Sequence, residues 1–354
     1  MTIPHSRPTI SEEDISNVVN SLRTGLIAYG DEVTRFEHDL SDYIGVLGGV
    51  AVNSGTNALY LALKALDVRP GDEIIIPSYV CVSVLHSVKY AGASPVFADI
   101  ESGSYNMDSG SVAQRITSKT KAIIVPHLFG AAADLDQLST FGIPIVEDCA
   151  QAIGTEYKGR KLGSYGLLST FSFKATKLIT TGHGGMIVTN YKEMLQKLRQ
   201  FSKYDQLEKY RVSYNYQLTD FQAAMGRSQL KRLSQFIERR RQISKIYSEL
   251  FETLGYPVQC NNNSIFFRYV VEVDDCSQYA NSMNSYGVCC EKPIFKPLHQ
   301  YVNSKAKLPN TERTMLRALS IPIYPSLTND EISRVCNTIE KVWGEKGGKN
   351  RIRG

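Results

Sequence analysis

The sequence predicts an α/β protein with a large, mostly parallel sheet sandwiched by helices, followed by a smaller C-terminal α/β domain. Three observations carry this. Helix-like and strand-like segments take turns through the first half of the chain. The strand-like segments are apolar throughout, as strands buried on both faces must be. Beyond a long helical stretch at about 220–251 the pattern changes, which places a second domain from about residue 236. The expected division is 1–235 for the large domain with its N-terminal segment and 236–354 for the small one.

In residues 56–66 apolar side chains recur at helical spacing, Gly71-Asp72 marks a turn, and 73–77 reads as a buried strand. Residues 84–91 follow as helix, 95–99 as strand, 112–116 as a short helix and 122–126 as strand. A helical turn at 135–138, then strands at 144–148, 168–173 and 185–189, complete the large domain. The remainder gives a strand at 266–273, a helix, and a terminal helix near 330–343. Neither an internal repeat nor a low-complexity segment interrupts this order.

Among 354 residues, 42% are hydrophobic and 21% charged, so the chain can bury a large core. It lacks the roughly 20 consecutive apolar residues of a membrane span and the basic-then-apolar order of a signal peptide, from which a cytoplasmic protein without membrane partners is expected. The seven cysteines show no Cys-x-x-Cys spacing and are read as reduced, with neither zinc nor disulfides. Much of the net charge of +5 comes from Arg239-Arg240-Arg241 and the basic tail after Trp343, both read as solvated. Nucleic-acid binding is therefore not expected.

Ligands of parallel sheets lie beyond the carboxyl ends of the strands, which directs attention to 78–81, 148–151 and the segment after Phe173. That last segment holds Lys174, Lys177, small hydroxyl residues and three glycines, Gly182, Gly184 and Gly185, which let backbone amides approach a ligand. A lysine in a glycine-rich loop can equally be a solvated surface lysine. Asp148 ends a buried strand and needs a partner or a capping role, because an unpaired buried carboxylate is costly. A protonated pyridine nitrogen is one such partner, and pyridoxal phosphate needs an acid there for its ring to draw electrons. Asn53-Ser54-Gly55-Thr56 supplies a strand end, a turn and hydroxyls at a helix start, suited to a phosphate.

In this order the motifs resemble the DegT/DnrJ/EryC1/StrS sugar aminotransferases, pyridoxal-phosphate enzymes of fold type I, the aspartate aminotransferase-like fold. The likeness rests on Ser54-Gly55-Thr56, Gly71-Asp72-Glu73 through Pro77-Ser78, Pro126-His127-Leu128-Phe129-Gly130, Glu147-Asp148-Cys149-Ala150-Gln151, the Lys177 loop, the Asn215-Tyr216-Gln217 stretch and Pro297-Leu298-His299. The resemblance implies that Lys177 forms the imine with pyridoxal 5'-phosphate, Asp148 pairs with its ring nitrogen and Gln151 bonds its phenolic oxygen. Gly55, Thr56 and Ser172 would bind its phosphate. Homodimers with shared sites are implied, Asn215 reaching the neighbouring subunit's phosphate.

Three departures accompany the likeness. Cys81 stands where many relatives stack an aromatic ring on the cofactor, Lys174 where His, Asn or Tyr is commoner, and His183 where Glu is usual. The implied reaction takes an amino group from glutamate and delivers it to a nucleotide-linked keto-sugar, for a surface glycan or a secondary metabolite. Relatives that dehydrate sugars lack the imine lysine, so Lys177 favours transamination. A cofactor-binding regulator would need a helix-turn-helix extension, and a sulfur-transfer enzyme a cysteine in a flexible glycine-rich loop; neither is evident.

Overall fold

The computed structural model describes residues 2–205, 207–256 and 264–350, the side chains of 345–350 excepted. Its strands are β1 (Gly48–Val52), β2 (Glu73–Pro77), β3 (Ser94–Ala98), β4 (Thr120–Pro126) and β5 (Ile145–Asp148), a small hairpin β6 (Glu156–Tyr157) and β7 (Arg160–Lys161), then β8 (Leu168–Ser172), β9 (Gly185–Thr189), β10 (Tyr269–Glu272) and β11 (Ala318–Ile321). Seven of them form one sheet in the order β1-β9-β8-β5-β4-β2-β3, with β9 alone running against the rest. The mostly parallel sheet read from the apolar strands is present.

Burial on both faces explains why those strands do not alternate. Ile74 and Ile76 of β2 enter one hydrophobic cluster, under the helices Gly55–Ala65 and Val82–Tyr90, while Ile75 between them enters another. That second cluster is closed by Val33, Phe36 and Leu40 of helix Asp31–Ile44 and by Leu233 and Phe236. A third cluster gathers Tyr269 and Val271 of β10, Leu319 and Ile321 of β11, and Val335, Ile339 and Trp343 of helix Asn329–Asn350. Ile3 joins it, pairing through its backbone with Gly287 and Cys289 at 2.8 and 3.0 Å.

The helical stretch at 220–251 is two helices, Asp220–Lys231 and Leu233–Thr253, broken at Arg232. The second divides its apolar side: Leu233, Phe236 and Ile237 pack in the second cluster, Ile243, Tyr247 and Phe251 in the third. The solvated reading of Arg239-Arg240-Arg241 is corrected. Arg240 is buried and donates to the carbonyls of Phe266, Phe267 and Ile323, while Arg239 and Arg241 donate to those of Leu327 and Ser264. These arginines serve chain segments that lack regular partners for their carbonyls. Among the described residues no helix is long and apolar enough to cross a membrane. The described cysteines are unpaired, and Cys260 lies outside the described residues.

Candidate active site

Strands β2, β4, β5 and β8 end at one edge of the sheet, and the segments leaving them line a cleft of about 540 Å3. Cys81 follows β2, His127 and Leu128 follow β4, Asp148 and Gln151 close β5, and Ser172, Lys174 and Lys177 come from the end of β8. Ser54, Gly55 and Thr56 enter from β1, and Phe267, Arg268 and the segment Pro293, Ile294, Phe295 and Lys296 form the facing wall.

Lys177 sits on a loop whose neck is tied shut. Phe173 N donates to Gly184 O at 2.9 Å, Ala175 N to Gly182 O at 2.9 Å, and Thr181 N back to Phe173 O at 3.0 Å. The loop turns its ammonium inward, 5.1 Å from the centre of the Phe267 ring. Burial holds the Lys177 amine below the usual lysine range, against the opposing pull of Asp148 and Cys81; Arg268 and Lys174 lower it further. Lys174 itself is exposed at the cleft margin, so it both meets solvent and acts on Lys177 through its charge.

Asp148 is buried at the floor. Burial pushes its carboxyl above the usual range, and the Ala150 amide and the Lys177 charge offset part of that. Its Oδ1 accepts from Ala150 N at 3.0 Å, and no helix starts there for it to cap. Gln151 spends its amide oxygen on Phe129 N at 3.1 Å, which leaves its NH2 group to donate into the cleft.

The phosphate-shaped corner lies at the start of helix Gly55–Ala65, capped by Ser54, whose Oγ accepts from Asn57 N at 3.1 Å. Gly55 is required there because a Cβ would lie 2.7 Å from Ser172 Cβ, and Gly185 because a Cβ would lie 2.6 Å from the Ser54 carbonyl. Gly185 thus serves the approach of β9 to this turn rather than access for a ligand. Cys81 is exposed at the head of helix Val82–Tyr90, its thiol 3.4 Å from Ser83 Oγ. His183 lines the cleft and is exposed.

Asn215 does not line this cleft. It is exposed beside the end of β1, where its neighbours Tyr216 and Gln217 pair with Asn53 and Val52.

Beside Asp148, Glu147 is fully buried with His127 and Cys149 close enough to suggest a metal triad. The lone pairs are already used. Glu147 accepts from the amides of Gly163, Tyr165 and Gly166, from Ser169 Oγ and from His127 Nε2. His127 Nδ1 accepts from Ala133 N, and burial holds the Cys149 thiol protonated. Burial pushes Glu147 up, but the bonds from His127, Gly166 and Gly163 outweigh it and hold it below the usual range. The cluster fixes the strand end that presents Asp148.

Phe267 and Arg268 fall within the span read as a strand at 266–273, without a role at the site; the strand itself begins at Tyr269. A charged residue inside an aromatic run was the signal available.

The donors present suit pyridoxal phosphate: a half-buried lysine of lowered basicity, a floor carboxylate with one oxygen free of bonded donors among the described residues, and a corner shaped by Gly55 and Ser172 at a helix start. A family pattern, that of the DegT/DnrJ/EryC1/StrS aminotransferase family, matches residues 8–340. The chain is 32% identical to the GDP-perosamine synthase of Escherichia coli O157:H7, over 97% of this chain and 99% of that one. It is 30% identical to a UDP-N-acetyl-3-dehydro-alpha-D-glucosamine 3-aminotransferase of Acidithiobacillus ferrooxidans, over 94% of each. The Streptococcus pneumoniae protein Spr1654 in its PMP form matches with a TM-score of 0.90 and 28% identity, over 97% of this chain and 99% of that one. Fold, cleft and likeness agree, and the chain belongs to the DegT/DnrJ/EryC1/StrS aminotransferase family, with pyridoxal phosphate as its cofactor.

Proposed function

We propose that this aminotransferase moves an amino group from glutamate to the ketone of a nucleotide-linked sugar, with Lys177 and Asp148 as its catalytic pair. One observation carries the assignment of roles: two strand ends bring a half-buried lysine and a buried carboxylate into one cleft, each drawn toward neutrality by desolvation. Pyridoxal phosphate, when bound, supplies the electron sink for a carbon that loses its proton. Lys177 Nζ, kept toward the free base, would take that proton from the donor's α-carbon and give it back across the nitrogen, to the carbon on the cofactor's side. Asp148 would hold a proton on the ring nitrogen, Gln151 would donate to the phenolic oxygen, and Gly55, Thr56 and Ser172 would bind the phosphate. Cys81, which lines the cleft, would meet the ring face as a smaller contact than an aromatic side chain. The named relatives act on GDP- and UDP-linked sugars, which supports a nucleotide sugar as acceptor. Incubation with glutamate and a panel of nucleotide keto-sugars, with the product identified by mass, tests this; no aminated product from any of them overturns it.

The same reading divides the chain near residue 236, places it in the cytoplasm and makes it a homodimer with shared sites. Exposure of Asn215 on a segment that also exposes Tyr210 and Val212 supports a partner surface there. Asn215 then completes the partner's phosphate site. Mixing inactive Lys177→Ala subunits with inactive Asn215→Ala subunits is expected to restore activity, because one site of each heterodimer carries neither lesion. Confirmed subunit exchange without recovery would count against sharing.

A further inference from the structure

Around the Phe267 ring the fold gathers three basic side chains, of which Lys177 has Asp148 acting on it. Arg268 Cζ lies 5.7 Å from the ring centre, Arg240 Cζ 6.0 Å and Lys177 Nζ 5.1 Å. Arg240 is committed to structure: its Nη1 donates to the carbonyls of Phe266, Phe267 and Ile323 at 2.9–3.0 Å. Among the described residues Arg268 is held at one end alone, where Nη1 meets the His5 ring at 3.1–3.2 Å. His5 in turn contacts Ser320 Oγ at 2.8 Å. Burial, then the charges of Arg268 and Arg240, push the His5 ring down to about 3, so it is a neutral partner that cancels no charge. Among the described residues Arg268 forms no ion pair; Glu291 lies 3.5 Å from His5 and its side chain is 60% exposed. Burial draws the Arg268 guanidinium below its usual range, opposed first by Glu291.

A guanidinium removed from water is costly until an anion meets it, and its fork suits a carboxylate or phosphate. Arg268 also lines the cleft. Its place selects the anion. The phosphate corner is occupied by Gly55 and Ser172, whereas Arg268 shares the Phe267 ring with the amine that moves the proton. A donor's α-carboxylate is one bond from the reacting carbon, while the diphosphate of a nucleotide sugar is separated from the ketone by the sugar ring.

We propose that Arg268 binds the α-carboxylate of the amino donor, with Arg240 and His5 as positioning residues. This rests on the transaminase reading above. The test compares the cofactor-loaded wild type with Arg268→Gln and Arg268→Lys. Calorimetry measures binding of glutarate, GDP and UDP, and the cofactor's absorption follows the donor half-reaction with glutamate and with glutamate α-amide. For Arg268→Gln, glutarate binding and half-saturation by glutamate are expected to weaken by about 10- to 100-fold, as when one charge-assisted hydrogen-bonded pair is lost. Arg268→Lys is expected to lie between, and the α-amide to react alike with all three proteins. Loss of GDP or UDP binding with unchanged glutarate binding would assign Arg268 to the diphosphate and overturn the proposal. An equal loss with the α-amide would assign it to the distal carboxylate, and no change in either would leave it a scaffold residue; both overturn it as well. A wild type that reacts with no α-amino acid would instead sink the transaminase reading, whatever the variants do.

Discussion

Lys177→Ala is expected to lower transamination by at least ~10⁴-fold, since it removes both the covalent anchor and the proton-carrying base. Lys174, three residues earlier, is the natural control because the same loop carries it and its amine is exposed. Borohydride treatment of the loaded wild type should fix the cofactor to the peptide that contains Lys177. Lys174→Ala should keep that label and Lys177→Ala should lose it, both retaining the wild-type circular dichroism. The tied neck at Phe173, Ala175 and Thr181 predicts this, for it determines which lysine faces Phe267 and which faces water. A label found on Lys174 would mean that the loop presents the other lysine.

Asp148→Asn separates binding from turnover. Asparagine keeps the shape and the bond from Ala150 N, yet it cannot hold a proton on a ring nitrogen. Cofactor affinity is expected to stay within about tenfold, ~1.4 kcal/mol, while the donor half-reaction falls by at least ~10³-fold, or ~4 kcal/mol of transition-state stabilisation. The two are read separately, by equilibrium titration of the apoenzyme and by stopped-flow absorption with glutamate. Near-normal turnover in this variant would make Asp148 a structural residue of the β5 end. The Glu147 cluster is what keeps that end in place in both proteins, so the substitution tests charge rather than position.

The cleft's floor was legible in the sequence because each strand carries its own marker. Asp148, Ser172 and Lys177 lie at or just beyond an apolar run, and a parallel sheet brings such run ends to one edge whatever the order of the strands. The facing wall was not legible. Arg268 meets His5 across 263 residues of sequence, and no local pattern signals that the N-terminal segment returns to β10. Arg240 shows the same limit, since a run of arginines reads as solvated until the carbonyls it serves are known. Helices Glu12–Arg23 and Lys192–Ser202 went unread for a different reason: their buried sides are thin, with Asp14 and Ser21 the buried residues of the first. The short strand β11 was hidden by its length, four residues that find β10 only in three dimensions.

Helix Leu233–Thr253 lends its two halves to two different cores, and this bears on how the chain comes apart. Melting the helix strips side chains from both cores, so neither can be lost while the other stays whole, and denaturation should proceed as one cooperative event. Nature has supplied separate reporters for the two ends. Trp343, the sole tryptophan, lies between Phe251 and Tyr279 at ring distances of 5.1 and 4.7 Å in the core that β10 and β11 share, while the cofactor's colour reports the sheet edge. Their urea transitions should superimpose; a fluorescence change that precedes the loss of colour would reveal that the helix frays at its middle and that the two cores are thermodynamically separate.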